Sequence, residues 1–369
     1  MSPIPARVGI VQRVLPAYRA AFFDALAAAC TGGLSVFAGQ PRPQEMIASS
    51  ADLHMARHTP ADNRHLLGGP AYLCYQRGLL RWLADWQPQV LILEANPRYL
   101  SSPAAVQWMK KHGSGVIGWG LGAPVLGGGV RQWLRRRFLS QFDALVAYSQ
   151  TGRSQYVTLG LPPERIFVAP NAVAPRPTHP LPDRAAPAAP LTVLFVGRLQ
   201  ARKRIDLLLQ ACAALPESLR PRLQIVGDGP ARAEMEALAA QVYPSAAFLG
   251  ARHGAELAPI FCAADLLVLP GTGGLAIQEA MSFGLPVIAA QGDGTQDDLV
   301  RPENGWRVPP GDLTALTETL TEALSNPLRL RALGAESYRI VSTEINLQQM
   351  VAGFEQAIQF VLERKKCTS

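Results

Sequence analysis

Residues 174–190 read APRPTHPLPDRAAPAAP. Six of these positions are proline, and Leu181 is the one large aliphatic side chain. Each proline fixes its own φ and lacks an amide donor, so the stretch can continue neither a helix nor a sheet. Such a break in a chain of 369 residues leaves two segments, each of ordinary domain length. On both sides of it, short apolar runs alternate with longer amphipathic ones. Before the break, strands are expected at 8–11, 34–37, 90–93, 115–119, 144–147 and 166–169, with helices at 18–30, 71–86, 103–111, 130–139 and 152–159. After it, strands are expected at 192–196, 222–226, 246–249, 266–269 and 286–289, with helices at 205–214, 231–242, 256–262, 277–283 and 313–324. This alternation builds parallel sheets with crossover helices. The expected architecture is α/β: two Rossmann-like doubly wound domains facing across a cleft, with ligands beyond the carboxyl ends of the strands. The boundaries read as an N-terminal domain at 1–173, a linker at 174–190 and a C-terminal domain at 191–344. A final apolar-periodic helix, about 345–369, is expected to pack back on the N-terminal domain.

Composition narrows the function classes. With 48% hydrophobic and 17% charged residues the chain builds sizeable cores and is not disordered. It has no run of about 18 apolar residues, so no membrane-spanning helix is expected. Its first residues, MSPIPARVGIVQRV, lack the apolar core and small-residue cleavage site of a secretory signal. The five cysteines are scattered without metal-ligand spacing, which suits free thiols in a reducing cytoplasm. A net charge of +7 and a pI of about 9.4 favour anionic partners such as nucleotide phosphates or an anionic membrane face. Aromatic residues are not interleaved with basic ones as in single-strand binders, and no nucleic-acid partner is expected.

Three glycine-bearing turns follow expected strands in the second half. In LFVGRLQARKRID, Gly197 ends a strand, and Arg198 and Lys203 precede a helix. Two cations at a strand's carboxyl end, beside a helix N-terminus, suit a diphosphate; a solvated basic loop is the plain alternative. In LQIVGDGPARAEME, Gly227 and Gly229 make a tight strand-to-helix turn, which turn chemistry alone would explain. In LLVLPGTGGLAIQEAMSF, Gly273 and Gly274 let backbone amides approach an anion, and the helix opening at Leu275 points its orphan amides at the same place. Glu279 lies about one turn into that helix, within an otherwise apolar stretch. Its carboxylate needs a partner, which sugar hydroxyls would supply, unless it sits on a solvated face.

VGRLQARKRID, IVGDGP, FLG, and GLAIQEAMSFGLPVIA followed by NGWRVPPGD resemble the donor half of glycosyltransferase family 4, retaining enzymes of the GT-B fold. YSQTGRSQYVTLGLPPERIFVAPNAV is similar to the same family's passage between domains. The resemblance implies a nucleotide-diphosphate sugar as co-substrate and a glycan or glycolipid acceptor in cell-envelope polysaccharide, lipopolysaccharide or glycolipid synthesis. It assigns Arg198 and Lys203 to the donor diphosphate as catalytic residues, Glu279 to the ribose, and Gly197, Gly227, Gly229, Gly273, Gly274 and Leu275 to the donor site. No cofactor and no metal is expected: no strand-terminal Asp-x-Asp pair is present, and the aspartates of GDGTQDD lie in a loop. There is one departure. The family commonly carries a second glutamate, eight positions before the one matched by Glu279, and Gly271 stands there. A catalytically inactive sugar-nucleotide binding or scaffold protein therefore stays open as the alternative.

LPAYRAAFFDAL and EANPRYLSSPAAVQWMKKHGSGVIGWGLGAP resemble, more loosely, the acceptor half of a subset of these enzymes. Where that subset reads WGHG, this chain has Leu121, so no histidine base is assigned. Tyr18, Arg19, Glu94, Asn96 and Trp119 fall at expected strand ends or loops and are the acceptor-side candidates, each with a structural role equally open. WGLGAPV offers G-x-G without a third glycine, which argues against a nicotinamide-dependent oxidoreductase. In GGGVRQWLRRRFLSQF, Arg131, Arg135, Arg136 and Arg137 accompany Trp133, Leu134, Phe138 and Leu139. Residues 131–139 suit either an anionic membrane face or a core helix flanked by bases. The expected location is cytoplasmic, with peripheral contact at the membrane's inner face.

Overall fold

The computed structural model describes residues 3–42, 45, 47, 49, 52–123, 129–183, 190–292 and 295–368. The chain forms two compact units, Met1–Val173 together with Leu347–Ser369, and Ala174–Asn346.

The first unit carries strands β1 (Val8–Val14), β2 (Leu34–Gly39), β3 (Arg57–Pro60), β4 (Asp62–Leu66), β5 (Leu73–Arg77), β6 (Val90–Glu94), β7 (Gly115–Gly120), β8 (Ala144–Ala147) and β9 (Ile166–Val168). Seven of them form a parallel sheet in the order β3-β2-β1-β6-β7-β8-β9. Its central strands are apolar on both faces, so both must be covered. Helices α1 (Ala20–Ala29), α2 (Leu79–Trp86), α3 (Ser102–Lys111), α4 (Val130–Leu139) and α5 (Gln150–Thr158) follow the strands. Phe22, Phe23 and Leu26 of α1 share one core with Phe354, Ile358 and Val361, from the chain's final helix. Leu83, Val106, Met109 and Tyr156 form the core on the opposite face. The final helix sits close because Gly115 has no side chain: a Cβ there would lie 2.0 Å from Val361 Cγ1.

Residues 71–86 do not make one helix. Residues 73–77 are β5, antiparallel to β4, and α2 begins only after Gly78, whose φ is +85°. Cys74 and Gln76 are buried between exposed Tyr75 and Arg77, a period of two that the helical reading missed.

The second unit has a six-stranded parallel sheet of β10 (Thr192–Val196), β11 (Arg222–Val226), β12 (Ala247–Gly250), β13 (Leu266–Leu269), β14 (Val287–Ala290) and β15 (Gly305–Val308), ordered β12-β11-β10-β13-β14-β15. Around it lie α6 (Ile205–Ala214), α7 (Arg232–Val242), α8 (Leu257–Ala263), α9 (Leu275–Ser282), α10 (Thr295–Leu299), α11 (Leu313–Ser325) and α12 (Pro327–Thr343), and α13 (Leu347–Thr368) is the helix returned to the first unit. β15, α10 and α12 were not expected from the sequence. Within the proline-rich segment, residues 184–189 lie outside the described residues. The part before them packs on this unit: Tyr338 donates to His179 O at 2.6 Å, and the His179 ring stacks on Phe283. The strand order reverses beside β10, between β11 and β13. A doubly wound sheet opens its crevice at such a point.

Candidate functional site

The turns after β10 and β11 interlock through their backbones. Gly197 N donates to Val226 O at 3.0 Å, Gly227 N to Gly250 O at 2.8 Å, and Leu199 N to Asp228 O at 2.9 Å. A Cβ on Gly227 would lie 1.9 Å from Gly197 O, and one on Gly229 2.3 Å from Leu199 O. These glycines let the turns close on each other, and the Gly197 and Gly227 amides are spent within the protein. Together the turns border a cavity of about 600 Å³, lined by Val196, Arg198, Asp228, Arg252 and His253 among others. The sequence reading missed Arg252 and His253. They follow β12, so the strand-end rule that found the other turns would have reached them.

The turn after β13 folds against the segment that carries Lys203. Thr272 N donates to Arg202 O at 3.0 Å, and the Arg202 guanidinium donates to Thr272 Oγ1 at 3.1 Å. A Cβ on Gly271 would sit 2.3 Å from Arg202 O and 2.5 Å from the Lys203 carbonyl carbon. No side chain fits there unless that backbone moves. A Cβ on Gly273, whose φ is +102°, would lie 2.4 Å from Lys203 Nζ, so the ammonium rests directly over the Gly273 backbone. Among the described residues the amides of Gly273, Gly274, Leu275 and Ala276 make no hydrogen bond, while Ile277 N donates to Gly274 O at 3.0 Å. No acid pairs with Lys203 among the described residues. Burial, then the neighbouring Arg202 charge, brings its pKa down to about 8. A half-buried ammonium and unspent amides thus lie side by side, which suits an anion. The Lys203 stem also passes Gly197, with Cε 4.0 Å from that residue's missing Cβ, so the anion site adjoins the cavity that exposed Arg198 lines.

Glu279 is one turn into α9. Its neighbours Ile277, Gln278, Ala280 and Met281 are buried, and Gln278 fixes the helix by donating to Ile345 O at 2.7 Å and accepting from Ala174 N at 3.1 Å. The half-buried Glu279 carboxylate accepts no hydrogen bond among the described residues, and burial alone pushes its pKa up.

On the first unit, Glu94, Asn96 and Trp119 line one cavity of about 280 Å³ at the carboxyl ends of β6 and β7, with Leu121, Arg135 and Tyr148. Glu94 accepts from Arg13 N at 2.8 Å, and burial raises its pKa. Trp119 packs between Phe22, Tyr148 and Phe354, its Nε1 buried and without a partner. Tyr18 and Arg19 do not line this cavity. Arg19 is buried, donates to Asn171 Oδ1 and to Ala172 O at 3.4 Å, and stacks on Trp119 and Tyr148, so it ties the end of β9 to the core. Tyr18 is exposed beside it. The sequence reading did not place Arg135 or Tyr148 here: Tyr148 directly follows β8 and the strand-end rule would have reached it, whereas only the fold brings Arg135 to the strand ends.

Helix α4 is not a core helix: only Leu139 is buried along its length. Val130, Trp133 and Leu134 are 72%, 55% and 53% exposed, and Arg137 stacks on Trp133 at 5.2 Å. These four lie at i, i+3, i+4 and i+7, one outward stripe. Among the described residues, no helix is long and apolar enough to cross a membrane, and no three His, Cys, Asp or Glu side chains gather as metal ligands could. The five cysteines are free thiols, Cys30, Cys74 and Cys212 of them buried.

Residues 10–172 match the family described as glycosyl transferase 4-like domain, and residues 190–326 match glycosyl transferases group 1. A GDP-mannose-dependent alpha-mannosyltransferase of Mycobacterium tuberculosis is 38% identical over 35% of this chain and 33% of its own length. A putative colanic acid biosynthesis glycosyltransferase of Escherichia coli, WcaL, is 28% identical over 48% of this chain and 47% of its own. The chain thus spans less than half the length of these curated relatives. The crystal structure of HepE from Anabaena in complex with UDP superposes with a TM-score of 0.68 over 97% of this chain and 100% of that one, at 15% identity. That likeness gives the fold: two Rossmann-like α/β domains of the GT-B type.

Proposed function

Because its two halves match glycosyltransferase family models, we propose that this protein moves a sugar from a nucleoside-diphosphate sugar to a hydroxyl acceptor, with retention at the anomeric carbon. The product class is an envelope polysaccharide, lipopolysaccharide or glycolipid. The observation that carries the reading is the half-buried Glu279 carboxylate, without a partner among the described residues, on the helix that opens beside Lys203 and the amides of Gly273 and Gly274, which likewise make no hydrogen bond among those residues. In this reading the donor diphosphate lies at those amides and the Lys203 ammonium, the ribose hydroxyls donate to Glu279, and the base enters the 600 Å³ cavity.

As the glycosidic bond breaks, negative charge grows on the leaving diphosphate. Lys203 and Arg198 are already in place and need no reorganisation to stabilise it. The acceptor hydroxyl attacks from the face the diphosphate leaves and passes its proton to the leaving phosphate oxygen. That route asks for no histidine, in keeping with Leu121. With the diphosphate charge met by side chains and amides, turnover needs no divalent ion. The relatives support the donor class without fixing its base: one is named for GDP-mannose and another neighbour holds UDP. The outward stripe of α4 and its arginines support peripheral contact with an anionic inner leaflet.

The test is transfer from a panel of nucleotide sugars to glycan and glycolipid acceptors, with the anomeric configuration of the product read by NMR. Retention is expected, and an inverted product refutes the mechanism. Gly271, which leaves no room for the family's second acid, favours one rival: a donor-binding scaffold without turnover. Tight donor binding with no transfer or donor hydrolysis would establish that rival.

A further inference from the structure

A second cavity in the first unit, of about 230 Å³, lies between α4 and the amino ends of β8 and β9. The cavity lined by Glu94, Asn96 and Trp119 opens instead at the carboxyl ends of β6 and β7, and Leu139 borders both. Leu139, Phe142, Leu145 and Leu161 form buried apolar walls, and the guanidinium-bearing residues Arg136 and Arg165 complete the lining. No carboxylate lines it, and neither arginine makes an ion pair among the described residues. The Nε of Arg165 is buried and has no hydrogen-bond partner. The Arg136 guanidinium carbon stands 3.2 Å from where a Cβ on Gly160 would be, so that glycine gives it room.

Two guanidinium groups with no acid among the described residues border one apolar cavity, Arg136 from its exposed side, and a shared anion would give each a charge-assisted contact. The planar fork of arginine suits phosphate oxygens in particular. A bare ion would satisfy the forks but leave the leucine and phenylalanine walls wet. A phosphate attached to hydrocarbon satisfies both. The volume is below the roughly 300–1,000 Å³ of whole-ligand pockets, enough for a headgroup phosphate and its first methylenes, with the chains left outside. Trp133, on the same helix three positions before Arg136, is exposed as an interfacial anchor would be. We propose that this cavity seats the phosphate headgroup of an anionic membrane phospholipid, as a docking site separate from donor and acceptor. The proposal rests on the membrane contact inferred above and gives it a discrete site.

The experiment is isothermal titration of the full chain with dihexanoyl phosphatidic acid below its micelle concentration, so that binding does not depend on vesicles. One saturable site is expected. Arg136→Ala and Arg165→Ala should each weaken it by about tenfold or more, as loss of a charge-assisted contact implies. Trp133→Ala, outside the cavity, should leave it within about twofold, the scatter of an exposed substitution. Inorganic phosphate should bind far more weakly. Unchanged affinity in both arginine variants, with wild-type unfolding temperatures, overturns the site; phosphate binding as tightly as the lipid overturns the lipid assignment. Wild-type sedimentation with anionic vesicles is the separate measure. Its absence sinks the membrane contact, and its persistence alongside unaltered arginine variants sinks the cavity alone.

Discussion

Lys203→Met should make the free protein more stable and the enzyme worse. In the folded chain the Lys203 ammonium is half-buried, no acid among the described residues meets it, and its pKa falls from 10.5 to about 8. At about 1.4 kcal/mol for each tenfold, that drop corresponds to about 3 kcal/mol against the charged form. The ammonium keeps partial contact with water, so about half, about 1.5 kcal/mol, is a fair expectation. The folded-state pKa lies below the unfolded one. Between about pH 8 and 10.5 the folded protein has therefore released a proton that the unfolded chain still holds, and wild-type stability rises with pH through that window. Lys203→Met gains its full advantage below pH 8, less as pH climbs, and none from this source above about 10.5. Urea unfolding at pH 7 and pH 9.5 measures the difference. Turnover with saturating acceptor should fall about thirtyfold to a thousandfold, for about 2–4 kcal/mol of lost transition-state stabilisation. A variant destabilised at pH 7, or stabilised equally at both pH values, refutes the idea that the ammonium waits uncompensated for a diphosphate.

Gly271→Glu should not restore a missing acid. With the Arg202 and Lys203 backbone 2.3–2.6 Å from any Cβ, it should cost about 2–3 kcal/mol in overpacking and weaken donor binding; unchanged stability in urea contradicts that packing. Turnover should survive excess chelator, and complete loss restored by manganese or magnesium would show that the diphosphate site is misassigned. The protein should sediment with anionic but not neutral vesicles, and Arg131/Arg137→Glu should abolish this; equal recovery on both vesicle types refutes the contact through α4.

The parallel sheets were legible because their strands are short, apolar and bounded by turns, a pattern that burial on two faces dictates. Residues 71–77 were misread because AYLCYQR joins the helical run that follows, and the period of two is visible only once Cys74 and Gln76 are seen to be buried. At the donor side the glycines were found by their position after strands, but their reasons were not. Gly227 and Gly229 admit a neighbouring backbone, and Gly271 admits the Lys203 segment, contacts between turns some 30 to 70 residues apart that no local pattern records. On the acceptor side Arg19 looked like a ligand-facing cation, while the structure spends it on Asn171 and Ala172. Arg135 shares its helix with solvent-facing arginines, and sequence spacing alone could not tell which of them meets the strand ends.

Equilibrium dialysis of nucleotide sugars against wild type, Glu279→Gln and Glu279→Ala tests the central claim most directly. The ribose changes little during the reaction, so the glutamate should act on binding rather than on turnover at saturating donor. Donor affinity should fall in Glu279→Gln and further in Glu279→Ala, where an acceptor of two hydroxyl hydrogen bonds is lost. Wild-type donor affinity in both variants would contradict the site, and intact binding with turnover abolished would make Glu279 a chemical participant instead.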